Sequence, residues 1–356
     1  MLTTLGIETS CDETAVALLD GDGRVVVDLL ASQAACHAPF GGVVPELASR
    51  EHLAALPYLV SRALAEGGPA PELVAVTGGP GLVGALLVGL RFAAAFAWAR
   101  SLALVSVDHL EGHLVSPFLD PEGGPALELP RRTLALVASG GHSSWYLMEG
   151  GDARRLCRTR DDAAGESFDK VAQVLGLPYP GGPVVDRMAR DGDPGAVDLP
   201  RPRLRDSSVD FSFSGLKSAA VRWIRARGLE GRGATDPPAE VRDLLASFEA
   251  AVVDQLMAPL DELAERYTPS ALTASGGVAA NTLLRRRIEE AGRKMGVDVW
   301  LPPARFTTDN AAMIARAGQL ARARGLHHDP RRIDARGREA WQPPGMKRLS
   351  SRRGNV

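Results

Sequence analysis

The hydrophobic pattern changes period twice along the chain, in the same order each time. Residues 2–8, 14–20 and 24–30 are short β-prone runs, the last two joined by Gly21-Asp22-Gly23, which reads as a hairpin turn. Leu47, Leu53, Leu56, Leu59 and Leu64 then recur at helical spacing and predict a helix over 45–66. A buried strand at 73–77, a helix at 82–100, a strand at 102–107 and a helix from about His109 follow. The second half repeats the plan. Runs at 133–138 and 143–148 form a hairpin around Ser139-Gly140-Gly141-His142, and 154–159 is a third strand. Helices at 164–175 and 241–266 come next, then strand 270–274, helix 278–295, strand 297–301 and helix 309–324. Between the first two of those helices, residues 191–214 are rich in Pro and Arg and read as irregular. The expectation is an α/β protein of two duplicated domains, 1–130 and 131–326, facing a central cleft, with a basic, disordered tail at 327–356.

Individual loops correspond as well. Strand 73–77 runs into Gly78-Gly79-Pro80-Gly81 and a helix, and strand 270–274 runs into Ser275-Gly276-Gly277 and a helix. Each half opens with a hairpin whose turn holds small polar residues, Thr9-Ser10-Cys11 and Ser139-Gly140-Gly141. One Gly-Gly turn is usually only a turn. Four in matching positions around a cleft leave backbone N–H groups free to hold phosphate.

His109-Leu110-Glu111-Gly112-His113 opens the last helix of the first half. Side chains at i and i+4 share a helical face, so both imidazoles can reach one ion. The matching helix start in the second half, Thr307-Thr308-Asp309-Asn310, supplies Asp309 as a carboxylate facing the same cleft. Two His and one Asp with open positions suit non-haem Fe(II), or Zn(II) as the alternative. The spacing invites comparison with zinc peptidases, whose base directly follows the first His. At 100° per residue Glu111 instead points about 180° away from the mean His direction and cannot act as that base.

Composition sharpens this only slightly. Hydrophobic residues make up 45% and aromatic residues 5%, so cores must form mainly from Ala, Leu and Val. The net charge of −2 is silent about nucleic acid, but residues 331–356 carry eight Lys/Arg against two Asp/Glu, as a solvated extension or an RNA or partner contact would. Residues 201–227 carry seven Lys/Arg against two Asp, and read equally as an RNA-facing stripe or an ordinary solvated surface. Cys11, Cys36 and Cys157 have no C-x-x-C spacing and fit a reducing cytosol. No secretory signal opens the chain, and Arg91 inside 82–99 argues for a buried helix there rather than a membrane span. The expected location is cytoplasmic.

Longer motifs now become informative. Gly6-Ile7-Glu8-Thr9-Ser10-Cys11-Asp12-Glu13-Thr14, Gly41-Gly42-Val43-Val44-Pro45-Glu46-Leu47-Ala48-Ser49-Arg50 and the segment from His109 to His113 resemble the universal tRNA N6-adenosine threonylcarbamoyltransferase family, in its bacterial wording. So do Ser139-Gly140-Gly141-His142, Asp162-Ala163-Ala164-Gly165-Glu166 with Phe168-Asp169-Lys170, and Tyr179-Pro180-Gly181-Gly182-Pro183. Asp210-Phe211-Ser212-Phe213-Ser214-Gly215-Leu216-Lys217 and Gly276-Gly277-Val278-Ala279-Ala280-Asn281 complete the set. Departures are small: Asp108, Ser143 and Thr282 stand where His, Thr and Arg are frequent.

The resemblance implies a duplicated actin/sugar-kinase-like (ASKHA) fold. It implies His109, His113 and Asp309 as metal ligands, and Val137, Ala138, Ser139, Gly140, Gly141, Asp169, Gly182, Asp186 and Asn281 as the residues that hold an adenylate. The implied reaction is acyl transfer from threonylcarbamoyl-AMP to N6 of the adenosine 3′-adjacent to the anticodon, in tRNAs reading codons that begin with A. Implied partners are tRNA, a paralogous protein of the same fold and a small P-loop ATPase, with no membrane. A general base is not fixed by the motifs; Asp12 and Glu13, at the first hairpin turn, are the candidates. An ASKHA-type small-molecule kinase would use the same cleft but would hold Mg²⁺ by carboxylates and water. A scaffold would be free to lose His109 or Asp309, and a metallopeptidase is disfavoured by the position of Glu111.

Overall fold

The computed structural model describes residues 1–66, 68–202, 204, 208–233 and 237–337. The first half contains β1 (Thr4–Glu8), β2 (Glu13–Leu19), β3 (Val25–Ser32), α1 (Ala34–His37), α2 (Pro45–Ala65), β4 (Leu73–Gly79), α3 (Val83–Ala99), β5 (Ala103–Asp108) and α4 (His109–Val115). Its sheet has the order β3-β2-β1-β4-β5, with β2 antiparallel to β1 and β3, and β1, β4 and β5 parallel. The second half contains β6 (Arg132–Ala138), β7 (Ser143–Glu149), β8 (Asp152–Arg158), α5 (Ala164–Val174), α6 (Gly181–Ala189), α7 (Ser214–Ala226), α8 (Ala239–Met257), α9 (Leu260–Tyr267), β9 (Ala271–Ser275), α10 (Thr282–Met295), β10 (Asp298–Trp300), α11 (Ala304–Thr307) and α12 (Ala311–Ala323). Its sheet, β10-β9-β6-β7-β8, repeats the first in mirror listing. This is the duplicated actin/sugar-kinase-like topology.

Burial follows the layers. The central strands β1 and β4 are buried at every position, as strands covered by helices on both faces must be. Edge strand β8 alternates instead and carries Arg154, Arg155 and Arg158, charges that discourage further pairing. Arg91, the charge inside the apolar α3, reaches out to the Ile333 carbonyl at 3.0 Å. Among the described residues no helix is long and apolar enough to cross a membrane.

Several expected elements differ. The single helix expected over 241–266 is two, α8 and α9, separated at Ala258-Pro259, where the proline cannot continue the backbone ladder. The helix expected over 278–295 begins only at Thr282, because Asn281 caps it by accepting from Leu284 N–H at 2.9 Å. Helices α6 and α7, and the one-turn α1 and α11, were not expected at all.

Two helices pack across the expected boundary between the halves. Helix α12, at the end of the second half, packs on the first sheet: Met313, Ile314 and Ala317 join Leu73, Ala75, Val105 and Val107 in one cluster. The contact is close, since a Cβ at Gly318 would run into that of Ala75 and one at Gly6 into the Ala311 carbonyl. Reciprocally, α4 of the first half packs on the second sheet, where Leu110 and Leu114 meet Ala135, Val137, Tyr146 and Met148. The part of the tail within 327–337 is ordered against the first half rather than solvated. Ile333 is 4% exposed in the cluster of α2 and α3, and Arg336 N–H donates to the Gly78 carbonyl at 2.8 Å. Residues 338–356, the rest of the expected tail, lie outside the described residues.

Candidate metal centre and donor site

The exchange of α4 and α12 between sheets brings their N-termini together. Asp108 caps α4 by accepting from Leu110 N–H at 2.9 Å, and Asn310 caps α12 by accepting from Met313 N–H at 2.8 Å. The residues beside the caps, His109, His113 and Asp309, place their ligand atoms within 4.8 Å of one another. Nε2 of His113 lies 3.1 Å and Nε2 of His109 3.4 Å from the same Asp309 oxygen. Burial alone would raise the Asp309 carboxyl, but the two imidazoles, His109 foremost, hold it well below the usual carboxylate range. It therefore stays an anion facing two nitrogen donors.

The reverse side of His109 is fixed too. Its Nδ1 donates to Glu8 Oε2 at 3.0 Å, and Glu8 also accepts from Thr77 Oγ1 at 2.6 Å and from Ser10 N–H. Glu8 is fully buried at the end of β1. A carboxylate behind one ring nitrogen leaves the other nitrogen's lone pair free for an ion, the usual carboxylate–histidine–metal arrangement. The donor set thus fits a divalent ion bound by His109, His113 and Asp309. It also removes the peptidase reading further, because Glu8 is sealed in the core behind the imidazole.

Asp12 and Glu13 stand at the β1–β2 turn on the same cleft. Glu13 Oε1 accepts from Ser32 Oγ at 2.9 Å, while Oε2 is buried with no partner among the described residues. Burial first, then Asp12 and Asp309, push the Glu13 carboxyl up to about 7, against the lowering effect of Ser32. Tyr179 of the second half donates to Asp12 Oδ2 at 3.5 Å, across the cleft.

On the second half, Val137 and Ala138 are fully buried in β6, where they support the turn that follows. The Ser139 N–H is used within the hairpin, donating to the His142 carbonyl at 2.7 Å. The turn amides of Gly140 and Gly141 have no partner among the described residues, and a Cβ at either would meet open space. The turn adjoins the metal centre: burial first, then His109 and His113, push the His142 imidazole down to about 4. Gly182 is equally open, and Asp169 Oδ1 accepts from Gly181 N–H at 2.7 Å, capping α6. Asp169 also lines a cavity of about 390 Å³ with Phe40, Gly41, Gln173, Pro178 and Tyr179, so the first half contributes the opposite wall. Asp186 is set back: one oxygen accepts from Thr282 and the other from Arg190. Asn281 sits above it at the start of α10.

A family model for tRNA N6-adenosine threonylcarbamoyltransferase (TsaD) matches residues 24–316. The chain belongs to this family. A Pelobacter propionicus protein of that name is 49% identical over 321 residues, covering 89% of this chain and 91% of its own. One from Anaeromyxobacter sp. is 48% identical over 327 residues, covering 90% and 95%. Among solved structures, the HypF protein from T. kodakarensis is similar over 90% of this chain and 47% of its own, with a TM-score of 0.57 and 12% identity. Full-length HypF, in a phosphate- and nucleotide-bound form, gives 0.54 at 12% identity over 91% of this chain and 55% of its own. At such identity these two share the fold only. Family membership makes the chain a transferase.

For a member of this family, sequence reasoning left several residues without a role. Glu8 was visible as a carboxylate ending an apolar strand, a break in pattern that signals a buried partner. Tyr179 and Glu249 gave no such signal, since each meets its partner across more than 30 residues. The basic stripe at 201–227 is largely neutralised where it is described. Arg201 pairs with Asp254, Lys217 with Asp162, Arg225 with Glu230 and Arg227 with Glu240, at 2.5 to 3.9 Å. Residues 203 and 205–207 of the stripe lie outside the described residues.

Proposed function

We propose that this transferase moves the threonylcarbamoyl group of threonylcarbamoyl-AMP onto N6 of the adenosine 3′-adjacent to the anticodon, in tRNAs reading codons that begin with A, and releases AMP. The observation that supports this most is the placement of the His109, His113 and Asp309 triad beside the open Gly140-Gly141 turn, in a chain of this family. Fe(II) is the metal we assign, with Zn(II) the alternative for the same donors. tRNA, a paralogous ASKHA-fold protein and a small P-loop ATPase are the partners, and the cytoplasm is the location.

The donor is a mixed anhydride, so its carbamoyl carbon is already activated. N6 of adenosine forms a bond to that carbon, the bond from the carbon to the phosphate oxygen breaks, and the proton leaves N6 for a base. A neutral exocyclic amine is a weak nucleophile, so positioning supplies much of the rate. Glu13 is the base, poised near neutrality by its burial, with Asp12 beside it as the alternative. Gly140 and Gly141 offer two N–H groups to the phosphate charge, with Val137, Ala138 and Ser139 shaping the approach through their backbone. Asp169, Gly182 and Asn281 hold the adenosine, and Asp186 acts through Thr282. When bound, the metal supplies Lewis-acid polarisation and orientation of the donor.

The test combines the protein with both partner proteins, unmodified tRNA and enzymatically made threonylcarbamoyl-AMP, and reads nucleosides by mass spectrometry. Threonylcarbamoyladenosine with stoichiometric AMP is expected, and Asp309→Ala should abolish it while remaining folded. Absence of modified nucleoside, or full transfer by Asp309→Ala, would overturn the proposal. ADP formed with a small acceptor and no tRNA would identify a kinase instead.

A further inference from the structure

Two carboxyl groups flank the start of α10, and each holds one of two adjacent residues. Asn281 Nδ2 donates to Glu249 Oε1 at 2.6 Å, while Asn281 Oδ1 accepts from Leu284 N–H at 2.9 Å. Thr282 donates its N–H and its hydroxyl to Asp186 Oδ1, at 2.8 and 2.6 Å. Glu249 is 6% exposed and Asp186 8% exposed. Packing of α6 on α8 sets the two carboxyls beside each other, near enough for Asp186 to raise the Glu249 carboxyl. Two buried carboxylates side by side cannot both ionise without large cost. Asp186 accepts from Arg190 at its second oxygen, at 2.7 Å. Glu249 has only the Asn281 amide and therefore keeps the proton. Burial first, then Asp186, lift its carboxyl to about 7, against Asn281 and Arg190, which lower it. Among the described residues, the charged groups acting on Glu249 are Asp186 on α6 and Arg190 at its C-terminal cap.

We infer that Glu249 is a positioning residue of the donor site: by sharing a proton with Asp186 it fixes the Asn281 amide and the first turn of α10 in the geometry that receives adenosine. The inference rests on the proposal that adenosine is held at Asn281. One Nδ2 hydrogen of Asn281 is committed to Glu249, which leaves the other for a ligand. Loss of the shared proton sets two anions against each other under Asn281 and Thr282 and releases that geometry.

The experiment measures adenosine binding by calorimetry between pH 6 and pH 8; adenosine has no phosphate to titrate over this range. Wild type should bind about tenfold more weakly at pH 8 than at pH 6, the ratio for a site needing a proton held near 7. Glu249→Gln should be flat within about twofold, because its amide donates to Asp186 and accepts from Asn281 at every pH. Asp186→Asn should move the wild-type midpoint downward, by removing the neighbouring charge. A pH-independent wild type, or a Glu249→Gln profile parallel to wild type, overturns the inference. Failure of the underlying donor site shows differently: Asn281→Ala would then bind adenosine as well as wild type at pH 6.

Discussion

Substituting Glu8 by Gln tests whether the metal centre depends on what stands behind His109. The carboxylate receives three donors, the Ser10 N–H, the Thr77 hydroxyl and the His109 Nδ1–H. A glutamine must turn its NH₂ toward one side. Facing Ser10, it opposes an N–H with an N–H and leaves a fully buried donor unpaired. Facing His109, it can be satisfied only if Nδ1 becomes the acceptor, which moves the proton to Nε2 and removes that lone pair from the ion. Either outcome weakens ligation without removing a ligand. Loss of such a supporting carboxylate typically lowers metal affinity about 10- to 100-fold, or about 1.4 to 3 kcal/mol. Competition against a chromogenic chelator measures this directly, with circular dichroism confirming the fold. Affinity unchanged within a factor of two in Glu8→Gln would refute the argument that this carboxylate sets the His109 tautomer.

Asp169→Ala should weaken adenylate binding by about 1 to 3 kcal/mol, as expected for lost hydrogen bonds to a partly buried acceptor, and calorimetry at fixed pH reads it. Unchanged affinity would confine Asp169 to capping α6 through Gly181. If Glu13 is the base, the transfer rate should rise as pH increases through about 7, where its carboxyl ionises, and Glu13→Gln should lose that rising limb; a limb that persists assigns the role elsewhere. Gly318→Val should lower thermal stability sharply, because even a Cβ there collides with Ala75 on β4, and overpacking typically costs about 1 to 3 kcal/mol; an unchanged melting temperature would contradict the close contact of α12 with the first sheet.

The two hairpins and the parallel strands were legible because short apolar, β-prone runs ending in turns of Gly or small polar residues have few other readings. Helix α7 was not, although Leu216, Ala220 and Ile224 lie at helical spacing along its buried face. Lys217, Arg222 and Arg225 stand between those positions and mask the stripe, and Ser212-Phe213, just before the helix, reads as extended chain. Helix α6 opens with Gly181-Gly182-Pro183, which looks like a turn until Asp169 is seen accepting from Gly181 N–H. Asp169 lies twelve residues earlier, so no local window contains that bond. The candidate ligands were readable for a different reason. A His pair at i and i+4 is a local signal, and internal duplication pointed to Asp309 without any knowledge of packing.

Duplication pointed to residues that do lie together, but through an incomplete picture, and the difference bears on how the site works. Matching helix starts were expected to face each other across a cleft, each rooted in its own domain. Instead α4, which carries the two His, lies against the second sheet, and α12, which Asp309 precedes, lies against the first, so each is anchored in the half it does not follow. The distances among His109, His113 and Asp309 are therefore set by two apolar interfaces and not by the angle of a hinge loop. A site fixed in this way is organised before substrate arrives, which favours a reaction whose rate depends on orientation. The second sheet and its helices present the Gly140-Gly141 turn, Gly182 and Asn281, while Asp12 and Glu13 come from the first. On the proposed function, a donor held by the second group would bring its acyl end to His109, His113 and Asp309, which the two halves share, and to Glu13 of the first.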